Sequence, residues 1–238
     1  MATLGFFHHV YDNLDATEFA IKNVREHYPD SFYMLIGDGG ANHYELAKKY
    51  NCHYYHNTDN LGYGESTLEE LLEELKRVLI ACIKTNTTHL MMVEDDVVVL
   101  DKVDLQDDWY CIGQPIGQNN IMHPQVLEWA RQFSGVQPQT NYYCFGGGSI
   151  LHVGTFLENF SAVYNFMYDN FHKMHEIYHQ IGWNDCFLTF FYYLSGKPIN
   201  LHSKLYTVSP WPNNVKDFDL ESIRGNYQVV DRYKNFYK

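Results

Sequence analysis

Three consecutive acids, Glu94-Asp95-Asp96, interrupt an apolar run that reads His89-Leu90-Met91-Met92-Val93 before them and Val97-Val98-Val99-Leu100 after them. A Met- and Val-rich run of this kind suits a strand buried on both faces, as in a parallel sheet. Unpaired carboxylates inside such a strand would be costly, because a buried charge without a partner loses its hydration. They fit at its carboxyl end, where open α/β sheets bind their ligands. Carboxylates gathered there favour a hard cation, Mg2+ or Mn2+, holding a diphosphate. The competing reading is a strand that ends in a solvated acidic turn, and the buried setting tips the balance towards the ligand site.

Further residue patterns could carry chemistry. Asp38 ends an apolar stretch inside the turn Gly37-Asp38-Gly39-Gly40, where glycines let the backbone approach a ligand and a carboxylate can accept hydrogen bonds from a base or ribose. The same residues also suit a plain β-turn. Leu61-Gly62-Tyr63-Gly64 is a fragment of a dinucleotide fingerprint without its third glycine, too little to imply NAD. His175-Glu176-Ile177-Tyr178-His179 matches HExxH, which on a helix would present two imidazoles to zinc with Glu176 as base. Trp183-Asn184-Asp185 follows a glycine and precedes an apolar helix. Asp185 is either a carboxylate favoured at a helix start or a general base facing a cleft. His202 is a surface histidine or a metal ligand.

The elements that must position these residues follow from periodicity. Leu4 to Val10 reads as a first strand, followed by a helix capped by Asp15 or Thr17 and running to about Tyr28. Ser31 to Ile36 is a second strand, Glu45 to Tyr50 lies in a second helix, and His53 to His56 is a short third strand. Thr67 to about Lys84 is an amphipathic helix with Leu68, Leu71, Leu72, Leu75, Leu79 and Ile83 on its apolar face. With the strand that carries the acids, this is β-α-β-α-β-α-β, the pattern of a parallel sheet. In the second half, Asp101 to Gln118 reads as a loop leaving the sheet and Pro124 to Phe133 as a helix. Asn141 to Leu151 reads as a strand broken by Gly146-Gly147-Gly148, Thr155 to Ile181 as a long helix, and Cys186 to Leu194 as another. The expectation is one domain over 1–238, with a nucleotide-binding half to about residue 100 and an acceptor-side half beyond it.

Composition narrows the classes. The 238 residues include twenty Tyr and fifteen Phe, so a packed core is expected and disorder is not. A formal charge of −12 argues against a groove that tracks nucleic-acid phosphates. It leaves room for a single nucleotide, whose charge a metal ion can offset. Five scattered cysteines without a CxxC pair read as reduced thiols. With no signal-like N-terminus and no membrane-length apolar run, the expectation is a soluble cytoplasmic protein.

Together, Val93-Glu94-Asp95-Asp96-Val97, Gly146-Gly147-Gly148 and Trp183-Asn184-Asp185 resemble the motifs of GT-A glycosyltransferases. The acid triplet is similar to the EDD form found in N-acetylglucosaminyltransferase I-like enzymes and in some lipopolysaccharide transferases, and the chain's size is similar to bacterial or large-DNA-virus members. The resemblance implies a Rossmann-like, nucleotide-binding mixed sheet flanked by helices, with an acceptor-binding C-terminal half. It implies transfer of a sugar from a nucleoside-diphosphate sugar, a UDP-sugar by default, to a hydroxyl of a glycan or glycoprotein. Asp96 would ligate Mn2+ or Mg2+, with His202 as a second ligand. Glu94 and Asp95 would hold the ribose or complete the metal's water shell. Asp38, His8, His9, Val10 and Gly62 would line the nucleotide side. Gly146, Gly147, Gly148 and Trp183 would border the acceptor, and Asp185 would be the base of an inverting displacement. Alternatives are a sugar-1-phosphate nucleotidyltransferase, although Leu4 to Asn13 lacks the basic loop such enzymes carry, the zinc protease of HExxH, and a non-catalytic glycan-binding protein.

Overall fold

The computed structural model describes residues 1–61, 66–114, 121–144, 146–207 and 219–231. Its first strand, β1 (Leu4–Val10), is buried at every position except His9, which is half-buried. Strand alternation sends Phe6 into one apolar cluster and Phe7 into another, so β1 is covered on both faces. Helix α1 (Leu14–His27) is capped two to four residues earlier than expected: Asn13 Oδ1 accepts the Ala16 N–H at 3.0 Å. Thr17 therefore lies inside the helix, on the buried face with Ala16, Ala20, Ile21 and Val24.

β2 (Tyr33–Gly37), α2 (Tyr44–Lys49) and β3 (His53–Tyr55) follow. α3 (Leu68–Lys84) opens on a reciprocal cap in which Thr67 accepts from Glu70 N–H and the Glu70 carboxylate accepts from Thr67 N–H. Its inward face holds Leu68, Leu71, Leu72, Leu75, Val78, Ala81 and Cys82. The expected inward Ile83 is 63% exposed, and two charged residues, Glu74 and Arg77, are buried instead. β4 (His89–Val93), fully buried, then pairs in parallel with β1. Strands β3-β2-β1-β4 are all parallel, as the first half of the sequence implies.

The second half departs from expectation at several points. β5 (Val98–Val99) leaves the large sheet altogether. The stretch expected as a loop contains β6 (Cys111–Gly113), which is a strand of the seven-stranded sheet. After α4 (Pro124–Ser134), only β7 (Ile150–His152) survives of the strand expected from Asn141, and it runs antiparallel to β4. α5 (Val153–Ile177) ends four residues short of the expected boundary, and a 3-10 turn (His179–Gly182) leads to α6 (Asn184–Leu194). The tail supplies β8 (Ile199–Leu201), β9 (Leu205–Thr207) and β10 (Val229–Asp231).

The result is a mixed sheet in the order β3-β2-β1-β4-β7-β6-β8 and a small sheet in the order β5-β10-β9. α3, α4, α5 and α6 share one apolar cluster with Phe7, Leu90 and Met92. α1, α2 and the small sheet share the other with Phe6, Met91 and Val93. β4 is thus sealed on both faces, and polar chemistry is left to its end.

Candidate active site

β4 stops at Val93, and the acids begin at the next residue, at the carboxyl end of a strand between β1 and β7. The chain turns there, with Val97 N–H donating to Glu94 O at 3.0 Å, and enters β5. β10 pairs antiparallel with β5, Val229 opposite Val99 and Val230 opposite Val98, which carries Asp231 to the level of Val97. Carboxylate oxygens of Glu94, Asp96 and Asp231 consequently lie within 4.8 Å of one another, Asp96 and Asp231 on buried residues. Gln114 Nε2 is 3.5 Å from Asp231 Oδ2.

Asp231 is the site residue that the sequence reading missed. A signal is present: Val229-Val230-Asp231 is a second short apolar run ended by an acid. What could not be seen is the pairing of β10 with β5 that brings it alongside Asp96.

The glycine segment closes one side of this cluster. Gly148 N–H donates to Met92 O, and Met92 N–H to Ser149 O, both at 2.8 Å, which fastens the segment to the end of β4. A Cβ on Gly147 would stand 2.5 Å from Asp231 Oδ1 and 2.6 Å from Val97 Cγ2, so only a residue without a side chain fits. On the adjacent Gly146, a Cβ would stand 3.6 Å from Asp185 Oδ2. Two successive glycines therefore touch the acid cluster and Asp185, and consecutive Cα spacing keeps the Asp185 and Asp231 carboxylates within about 13 Å of each other. Asp185 stands in the first turn of α6, where the helix dipole favours a carboxylate. Its carbonyl accepts the Thr189 hydroxyl at 2.8 Å, and that hydroxyl oxygen accepts Cys144 N–H at 3.1 Å, which ties α6 to the chain entering the glycine segment.

The remaining expected residues fall into distinct groups. Asp38 Oδ1 accepts from Arg77 Nη1 at 2.7 Å and from Leu61 N–H at 2.9 Å, while Arg77 Nη2 donates to Asp59 O. The buried guanidinium thus holds the turn after β2 against the loop that precedes α3. His8 and Val10 are fully buried, so their side chains support the site from behind and offer a ligand no surface. His9 lies 3.3 Å from the buried Glu74 carboxylate. Asp95 is not among the clustered oxygens: its Oδ1 accepts from Thr17 Oγ1 at 2.6 Å and pairs with His8 Nε2 at 3.0 Å. Gly62 lies outside the described residues.

His202 does not join the carboxylates. Its Nδ1 accepts Lys204 N–H at 3.2 Å, its ring packs edge-on against Trp109, and burial lowers its pKa. Asp231 stands in the cluster where a second ligand was expected from His202. The HExxH pattern fails on geometry, because α5 ends at Ile177 and His179 belongs to the following 3-10 turn. His175 stacks on Phe171 and His179 meets Trp183 edge-on, so the two rings are not presented together by one helix face.

The mixed, mostly parallel sheet flanked by helices has the GT-A fold. Solved structures agree. TarS of S. aureus is similar with a TM-score of 0.51 at 13% identity, over 85% of this chain and 35% of that one. An active-site mutant of LgtC is similar with a TM-score of 0.51 at 15% identity, over 95% of this chain and 86% of that one. Both are GT-A glycosyltransferases, and at these identities the likeness is one of fold. The chain spans about a third of the length of TarS. No protein-family model and no curated protein matches it.

Proposed function

We propose that this chain is a metal-dependent glycosyltransferase that moves a sugar from a nucleoside-diphosphate sugar, a UDP-sugar by preference, to a hydroxyl of a glycan or glycoprotein. The observation that carries the reading is the convergence of Glu94, Asp96 and Asp231 at the carboxyl end of β4, with Gly147 packed against Asp231. The donor set fits a hard divalent cation. Three carboxylates offer only oxygen, which suits Mg2+ or Mn2+, and like charges this close favour a cation among them. Glu94, Asp96 and Asp231 would hold it, and when bound it supplies Lewis-acid neutralisation of the departing diphosphate.

The chain's own residues account for the rest of the reaction. Asp185, across the glycine segment from the acid cluster, takes the proton of the acceptor hydroxyl as the new C–O bond forms. Such proton transfer typically contributes ~10²–10⁴-fold. One base on the side away from the leaving group gives a single displacement with inversion. Trp183 and Gly146 to Gly148 border the acceptor. Asp38, oriented by Arg77, and His9 serve the nucleotide, as does Gly62 by the sequence resemblance. The five free thiols fit a reducing compartment, and the reading includes a cytoplasmic location.

Thermal denaturation with UDP-, GDP-, dTDP- and CMP-sugars, each with Mn2+ or with EDTA, tests this function. Stabilisation is expected with one nucleotide class, by about 2.7 kcal/mol at a hundredfold excess over the dissociation constant, and EDTA should erase it. The absence of a shift with any sugar nucleotide in Mn2+ would refute the proposal.

A further inference from the structure

The middle acid of the triplet is claimed by the protein itself. Asp95 Oδ1 accepts from Thr17 on α1 and pairs with His8 on β1, both partners are fully buried, and the Asp95 side chain is only 9% exposed. His8 is fixed in turn, its Nδ1 standing 3.0 Å from the Tyr33 hydroxyl on β2. Burial raises the Tyr33 pKa well above its ordinary value, so the hydroxyl beside the ring stays neutral. The other ring nitrogen of His8, Nε2, is the one bonded to Asp95. The result is a chain of contacts from β2 through β1 to the turn after β4, Tyr33 to His8 to Asp95, with Thr17 joining from α1.

We propose that Asp95 is a positioning residue. It anchors the Glu94–Val97 turn to β1 and α1, so that the carboxylates on either side of it are set to receive a divalent cation. This deepens the metal-dependent reading and rests on it. The physical reason is local. The Glu94–Val97 turn is closed by the backbone bond from Val97 N–H to Glu94 O. Two hydrogen bonds to the Asp95 carboxylate, made by buried groups, fix the central residue of that turn. They also give the third negative charge of the triplet partners of its own, so that it adds less repulsion to its neighbours.

Residues that orient metal ligands typically change metal affinity by 10–100-fold when removed. The test is direct Mn2+ binding to the full chain, by electron paramagnetic resonance or calorimetry. Circular dichroism at the assay temperature establishes the folded fraction of each variant. Thr17→Val, which keeps the shape and removes the hydroxyl, should raise the Kd for Mn2+ about tenfold or more. Thr17→Ser should restore it to near the wild-type value. Asp95→Asn keeps an Oδ1 that can accept both hydrogen bonds, and should lose far less affinity than Asp96→Asn. A merely structural role would lower the melting temperature and leave the Kd of the folded fraction where it was. Wild-type affinity in folded Thr17→Val would overturn the anchor. Equal losses in Asp95→Asn and Asp96→Asn would make Asp95 a ligand and overturn it too, a comparison that stands even if Thr17→Val does not fold. If the wild-type chain binds no Mn2+, the metal-dependent reading falls and takes this proposal with it. Normal wild-type binding with unaffected Thr17→Val removes the anchor alone.

Discussion

Asp231 and Asp185 stand against successive glycines, and the proposed chemistry gives them separate work. Asp231→Asn removes one of three clustered carboxylates while keeping nearly the same volume. It should abolish the Mn2+-dependent stabilisation by sugar nucleotide and leave the metal-free melting temperature close to wild type. Asp185→Asn should retain that stabilisation and lose about 10²–10⁴-fold in turnover, measured as nucleoside diphosphate released with acceptor present. Turnover within threefold of wild type in Asp185→Asn would remove its role as base. Of the two residues, Asp185 was legible because tryptophan, amide and acid are contiguous before a helix. Asp231 was not, because its meaning lies in the β5–β10 register. The same contrast divides the triplet: the place of Asp96 at the end of a buried strand is legible locally, whereas the inward turn of Asp95 depends on Thr17 and His8, which no local pattern connects to it.

Among the elements, α3 separates what periodicity conveys from what it does not. Its start and its leucine stripe follow from Thr67, Glu70 and the three- and four-residue spacing of apolar side chains, and the structure keeps both. Its two buried charges break the stripe: Glu74 faces His9, and Arg77 reaches Asp38 and the Asp59 carbonyl. A sequence-based helical face assigns such residues to solvent, because burial of charge is favourable only with partners that lie far off in the chain. The consequence is measurable by urea denaturation. Thr67→Ala, which removes half of the cap, should cost about 1 kcal/mol. Arg77→Met should cost more, because it leaves the Asp38 carboxylate without its cation and the Asp59 carbonyl without its donor. Arg77→Met should also weaken sugar-nucleotide binding, since the turn carrying Asp38 loses its tie to α3, whereas Thr67→Ala should not. An Arg77→Met variant as stable as wild type would show that the pair contributes nothing net.

At the scale of the whole molecule, the question is whether the nucleotide half and the acceptor half are independent units. The sequence places their boundary near residue 100, and the strand pairing crosses it repeatedly. β4 of the first half pairs with β7 of the second, and β5 depends on β10. α3 packs with α5 and α6 in one apolar cluster, and Val97 and Val99 share the other with Leu205 and Val229. Cutting at residue 100 would expose the edge of β4 and leave β5 without its partner, which is costly for buried backbone groups. We therefore expect the chain to unfold as a single domain. Calorimetry should give one endotherm with matching calorimetric and van't Hoff enthalpies, and far-ultraviolet dichroism and tryptophan fluorescence should trace the same transition. A fragment ending near residue 100 should lack cooperative unfolding. Two resolved transitions, or a folded N-terminal fragment that binds sugar nucleotide alone, would mean that the halves are separate domains. The acid cluster would then be an interface feature, since Asp231 comes from one half and Glu94 and Asp96 from the other. A single transition that moves to higher temperature as a whole when Mn2+ and donor are added together would instead tie the site's formation to the fold of the entire chain.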